Sequence, residues 1–173
     1  MKLTELTETS NFGYQAFLLK GLEIHRHCFR ISPADEVNES FPTYGMQDSF
    51  TLGVLTDSHE LAGVVSFQRE GITRIKLRHK GLLFRMYVDQ EYGGLGLGRM
   101  LLEETIRRAR CLPNLEQINL TVIASNNLAK RQYEKVGFRT FAFEKNAIKD
   151  EDTYYDEEQM VLFLNEPGTF RLH

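Results

Sequence analysis

The 173-residue chain predicts a mixed α/β fold, a single layer of about seven mostly antiparallel strands with helices on both faces. Three observations carry this. Apolar residues recur at helical spacing between Phe12 and Phe29, then switch to β-rich runs from residue 49. GLLFRMYV (81–88) is nearly continuous in apolar residues, as expected of a strand covered on both faces in the middle of a sheet. Directly after it, four glycines within residues 93–98 run into a helical pattern, which marks a strand-to-helix corner.

The elements follow in order. KLTEL alternates weakly and opens the sheet. The first helix runs from Phe12 to Phe29, with Phe17, Leu18, Leu22, Ile24 and Phe29 inward and Asn11 as its cap. SPADEVNESF (32–41) reads as a short capped helix, with Ser32 as N-cap, Pro33 at the first position and acids in the first turn. SFTLGVLTD (49–57) and HELAGVVSFQRE (59–70) form a hairpin around an Asp-Ser corner, and ITRIKLRH (72–79) continues extended into the central strand. After the glycine corner a helix starting near Leu95 reaches about Ala109, with Met100, Leu101 and Ile106 on its inner face. Leu115 to Ala124 is a strand, and SNNLAKRQYEKVGF is a helix stopped by Gly137 in the left-handed position. RTFAFEK and QMVLFL close the sheet as strands. The order is therefore strand, two helices, three strands, helix, strand, helix, two strands, in one domain covering 1–173.

Composition excludes several classes. With 21 basic and 24 acidic residues the formal charge is −3 and no basic block is present, so nucleic acid is not an expected partner. No apolar run approaches the ~18 residues that span a bilayer, and the N-terminus lacks a signal core. A soluble, cytoplasmic protein without membrane partners is expected. Cys28 and Cys111 lack metal-ligand spacing and read as reduced thiols, and no metal site is expected.

The glycine corner fits neither common phosphate-binding motif. Counted from Gly94, the third glycine of a dinucleotide fingerprint would fall on Arg99; counted from Gly93, the second falls on Leu95. A P-loop reading from Gly93 to Gly98 ends in Arg99 and Met100, where a Lys and a Ser or Thr are needed. Four glycines in six residues each lower stability unless backbone must approach something closely.

VDQEYGGLGLGRMLL resembles the acetyl-CoA-binding segment of the GCN5-related N-acetyltransferases. NNLAKRQYEKVGF resembles the second block of that family at Asn126, Ala129, Tyr133, Gly137 and Phe138. One position departs from the pattern: the family's Arg or Gln falls on Gly93. The resemblance implies that the amides of Gly94, Leu95, Gly96, Leu97, Gly98 and Arg99 hold the diphosphate of acetyl-CoA at a helix N-terminus. It implies that Arg99 partly replaces the missing side chain, and that Met86, Tyr87 and Val88 offer backbone groups to the pantetheine arm.

Tyr133 then matches the general acid that protonates the departing thiolate, Val88 N–H the oxyanion donor, and Asn126 a helix cap, a cofactor contact or both. The general base is not identified; His79, Glu23, His25 and Glu36 are candidates. The acids Asp156, Glu157 and Glu158 lie before the last strand, where they form a solvated turn or attract a cationic amine. The expected activity is acetyl transfer from acetyl-CoA to a primary amine of a small molecule or peptide, the alternative being a non-catalytic CoA-binding sensor. A homodimer is the assembly to test.

Overall fold

In the computed structural model, residues 1–71 and 73–164 are described. One seven-stranded sheet runs in the order β1-β2-β3-β4-β5-β7-β6. Its strands are β1 (Lys2–Leu6), β2 (Phe50–Leu55), β3 (Leu61–Arg69), β4 (Lys80–Val88), β5 (Gln117–Ile123), β6 (Arg139–Asp150) and β7 (Thr153–Phe163). Every neighbouring pair is antiparallel except β4 and β5. The helices are α1 (Asn11–Ile24), α2 (Pro33–Val37), α3 (Leu97–Arg110) and α4 (Asn127–Lys135). This is the mixed, mostly antiparallel α/β architecture expected from the sequence, in the expected order. No helix among the described residues is long and apolar enough to cross a membrane.

Two apolar cores flank the sheet. Leu97, Leu101, Leu102 and Ile106 of α3 pack with Tyr133 and Phe138 onto one face, against Val65, Leu83, Leu120 and Met160. Tyr14, Phe17, Leu18 and Leu22 of α1 cover the other face over Val64 and Tyr87. At Gly21 the helix comes so close that an added Cβ would lie 2.7 Å from the Tyr87 ring, which requires glycine there.

β4 occupies the middle of the sheet and carries one surplus residue. Gly63 and Val64 face Val88 and Tyr87, but Ser66 and Phe67 face Phe84 and Leu83, so Arg85 and Met86 together oppose Val65. Arg85 takes the left-handed φ of 50° that such a bulge allows. Its guanidinium meets Glu36 of α2 at 2.9 Å, and Glu36 is buried. α2 is anchored for this by a capping box between Ser32 and Asp35, with Pro33 in its first turn.

Several expected boundaries move. Ser10, not Asn11, is the N-cap of α1, and no side chain caps it; the helix ends at Ile24, where Gly21 accepts the His25 N–H, and 26–28 form a 3-10 turn. ITRIKLRH is not extended: Ile75–Leu77 form a 3-10 turn on the surface, while Ile72 lies outside the described residues. α3 begins at Leu97 rather than Leu95, because the left-handed Gly94 and Gly96 cannot be helical. Met100 sits on the outer face of α3, at 40% exposure, and Leu102 takes the inner position. YYDEEQM does not precede the last strand but lies inside β7.

Candidate active site

The β4–β5 ladder stops early. Only Lys80, Gly81 and Leu82 pair with Gln117, Ile118 and Asn119; beyond them the two strands part. A bulge bends a strand and increases its local twist, and the one at Arg85 lies where the separation begins. Asp89 N–H donates to Ala62 of β3. By the alternation of an extended strand, the amide of Val88 points the other way, into the gap. The Tyr87 side chain packs under α1, against the Phe17 and Phe29 rings.

The strand end is fixed by charge. Asp89 is buried, accepts the Glu91 N–H at 3.0 Å and meets Lys20 of α1 at 2.7 Å. Burial pushes its carboxyl up, but the Lys20 and Glu91 hydrogen bonds outweigh it, and Asp89 stays below the usual carboxylate range.

From there the chain makes the glycine corner. Gly94 and Gly96 have φ of +77° and +76°, and a Cβ at either would meet nothing within 4 Å. The backbone is therefore bare on its outer side. The first helical acceptor in α3 is Gly96 O, taken by Met100 N–H at 3.0 Å. The amides of Leu97, Gly98 and Arg99 thus have no intrahelical acceptor and sit at the positive end of a 14-residue helix. The Leu97 side chain is buried in the core, which locks this turn, while Leu95 is exposed. Arg99 points outward to Glu103 at 2.7 Å. Position 93 has ordinary extended torsions, and a Cβ there would lie 3.1 Å from Gln90 O.

α4 rises from the end of β5 on the same face as α3. The Asn126 side chain accepts the Ala129 N–H at 3.1 Å, so the cap role holds, and Ala129 packs against the core. Two turns on, Tyr133 is buried and edge-packed on Phe138 at 5.9 Å, and Gly137 takes the left-handed φ of 104°. Burial pushes the Tyr133 phenol up to about 12. At neutral pH it is a protonated donor.

The base candidates scatter. His79 stands at the paired end of β4, where its carbonyl accepts from Glu116 and Gln117. Glu23 is exposed, and Glu36 is buried against Arg85. His25 reaches Tyr87, with 6.2 Å between ring centres. The acids of β7 separate by alternation. Asp156 accepts the Asn146 N–H, and Glu158 clamps Lys130 of α4 at 2.8 Å and Thr140 at 2.7 Å. Glu157 projects to the α1 face and is buried beside Arg30. Sequence reasoning missed the Lys20–Asp89 and Arg85–Glu36 pairs, which join residues 69 and 49 positions apart without a local motif.

The family model for the acetyltransferase (GNAT) family matches residues 18–138. An acetyltransferase of the GNAT family from Streptococcus pneumoniae shares 23% identity, with 94% of this chain and 98% of that chain covered and a TM-score of 0.80. The ribosomal-protein-S18-alanine N-acetyltransferase of Escherichia coli shares 21% over 99% of both chains, with a TM-score of 0.70. A ribosomal-protein-alanine N-acetyltransferase from Brucella melitensis shares 18%, covering 95% and 100%, with a TM-score of 0.79. A search of curated proteins returns no match.

Proposed function

Because the chain belongs to the acetyltransferase (GNAT) family, we propose that it moves an acetyl group from acetyl-CoA to a primary amine of a small molecule or peptide. Three observations support this reading: the bare amides at the start of α3, the end of β4 that β5 does not pair, and a buried tyrosine on α4. The donor set fits the cofactor chemically: unpaired N–H groups at a helix start suit a diphosphate, and a free strand edge suits an arm that carries amides.

When bound, acetyl-CoA supplies a thioester carbonyl activated toward nitrogen. The amides of residues 94–99 hold the diphosphate, and the edge of Met86–Val88 orients the arm. Val88 N–H donates to the carbonyl oxygen as negative charge grows there, an electrostatic contribution that a preorganised amide makes without reorganising. As the C–N bond forms and the C–S bond breaks, Tyr133 gives its phenolic proton to the departing sulfur. The nitrogen sheds one proton, which restores the phenol through solvent. The extended torsions at Gly93 leave the amide cradle intact, so the missing side chain lowers affinity without changing which cofactor is held.

Thiol release from acetyl-CoA, followed across a panel of amines, tests this. Wild type should show amine-stimulated release, and Tyr133→Phe should lose about 10²–10⁴-fold in kcat. Tight CoA binding without release from any amine would favour the sensor reading. Activity with an unchanged rate and pH profile in Tyr133→Phe would remove Tyr133 from the mechanism.

A further inference from the structure

On the α1 face, the gap between β4 and β5 is bridged by the segment that follows α1. His25 and Phe29 pack on Tyr87 of β4. The next residue, Arg30, brings its Nε to 2.5 Å from Oε1 of Glu157 on β7, across from Ile123 at the end of β5. β7 is the strand beside β5, so the Glu157 backbone lies about 5 Å from the strand that borders the gap.

Glu157 is 98% buried, and its Oε1 has no well-aligned hydrogen-bond donor among the described residues; its partner is Arg30, whose side chain is 58% exposed. Its cross-strand partner on β6 is another acid, Glu144. Like charges placed directly opposite are unfavourable unless a cation intervenes. Beside Glu157 on this face stand Ile123, Tyr155 and Gln159, and among the described residues Arg30 and Glu144 are the charged groups that face it.

Resting on the reading above, we propose that Glu157 is the acceptor site's carboxylate. It receives the protonated primary amine of a cationic, polyamine-like acceptor in the place Arg30 holds in the empty protein, and takes its proton. A buried carboxylate stripped of its partner is costly, so a cation must stand beside it while it is ionised. Exchanging a solvated guanidinium for an ammonium keeps that charge balance, and Glu144 offers a place for a second positive charge. In the proton step one N–H bond breaks and one O–H bond forms. The ion pair becomes a neutral acid and a neutral amine whose lone pair is free to attack. Burial pushes Glu157 up and Arg30 draws it down, with the net upward, in the direction a proton acceptor requires. The amide product carries no charge at that nitrogen, so it loses its hold; Glu157 then releases its proton to solvent and Arg30 returns.

Spermidine is the probe. Its binding is measured by calorimetry in the presence of CoA, and kcat/KM against pH by thiol release. Glu157→Gln should weaken spermidine binding at least 10-fold and remove the acidic limb of the pH profile, with the CoA Kd unchanged. Arg30→Ala should bind spermidine several-fold tighter, whereas a purely structural ion pair would make both variants equally poor. The proposal falls if wild type does not bind spermidine, if Glu157→Gln leaves binding and the acidic limb intact, or if Arg30→Ala weakens binding as Glu157→Gln does. Wild type that binds spermidine through Glu157 but releases no thiol with any amine refutes acetyl transfer, and with it the proton step.

Discussion

Gly96→Ala separates what the glycine corner does for the fold from what it does for the ligand. Gly96 has a φ of +76° at the N-cap of α3, and its added Cβ would touch nothing within 4 Å. The cost to the free protein is therefore conformational alone, about 1–2 kcal/mol for a non-glycine residue in the left-handed region. For a chain of this size that lowers Tm by roughly 2–8 °C. The strain is relieved if the backbone rotates, and rotation turns the amides of Leu97, Gly98 and Arg99 away from a bound diphosphate. Losing one charge-assisted hydrogen bond costs about 1.5–3 kcal/mol, or roughly 10- to 150-fold in the Kd for CoA. Gly98→Ala is the comparator. It lies inside the helix, and its Cβ would meet the flexible end of Met86 at 3.3 Å. Its Tm should hold or rise and its Kd should stay within about threefold. Scanning calorimetry gives the first quantity and titration calorimetry with CoA the second. A Gly96→Ala protein with a lowered Tm and an unchanged Kd would show that these amides do not hold the diphosphate.

Two further outcomes concern stability. Gly21→Ala places a Cβ 2.7 Å from the buried Tyr87 ring, and overpacking of about 1–3 kcal/mol exceeds the ~1 kcal/mol gained in helix propensity. Thermal unfolding should show a fall in Tm, and a rise would refute the close approach. Glu104 is held by hydrogen bonds from Arg107 and Arg108, which bring its carboxyl down to about 2 against an opposing effect of burial. A depressed acid contributes stability above its unfolded value near 4.5, and that contribution fades as pH falls toward 2. After solvent screening it is about 1 kcal/mol. Urea unfolding of wild type and Glu104→Gln should therefore converge as pH drops through this window, and a constant difference would refute the assignment.

The sheet order, the glycine corner and the Asn126–Tyr133–Gly137 helix were legible because each rests on local signals: periodicity, capping and left-handed glycines. α3 starts two residues later than the sequence suggests because Leu95 and Leu97 look alike in sequence, and only their flanking glycine torsions separate them. ITRIKLRH carries β-branched residues, yet with Ile75 at 86% exposure it buries too little on a sheet to stay extended. The charges of the site were the least legible. Extending the period-2 pattern of QMVLFL backward through YYDEEQM would have put Glu157 and Glu158 on opposite faces. Which of them met Arg30 and which met Lys130 depends on packing between distant segments.

The surplus residue in β4 also has a consequence for how this protein can be improved. Removing one residue at Arg85 would restore an uninterrupted β3–β4 register and relieve a left-handed backbone. β4 would then be free to continue pairing with β5, gaining backbone hydrogen bonds where there are now none. Selection for thermal resistance alone would favour that change, yet it would close the gap and turn the Val88 amide into the sheet. At this position stability and the proposed chemistry would compete for the same backbone groups, and a stabilised variant is best sought elsewhere in the fold.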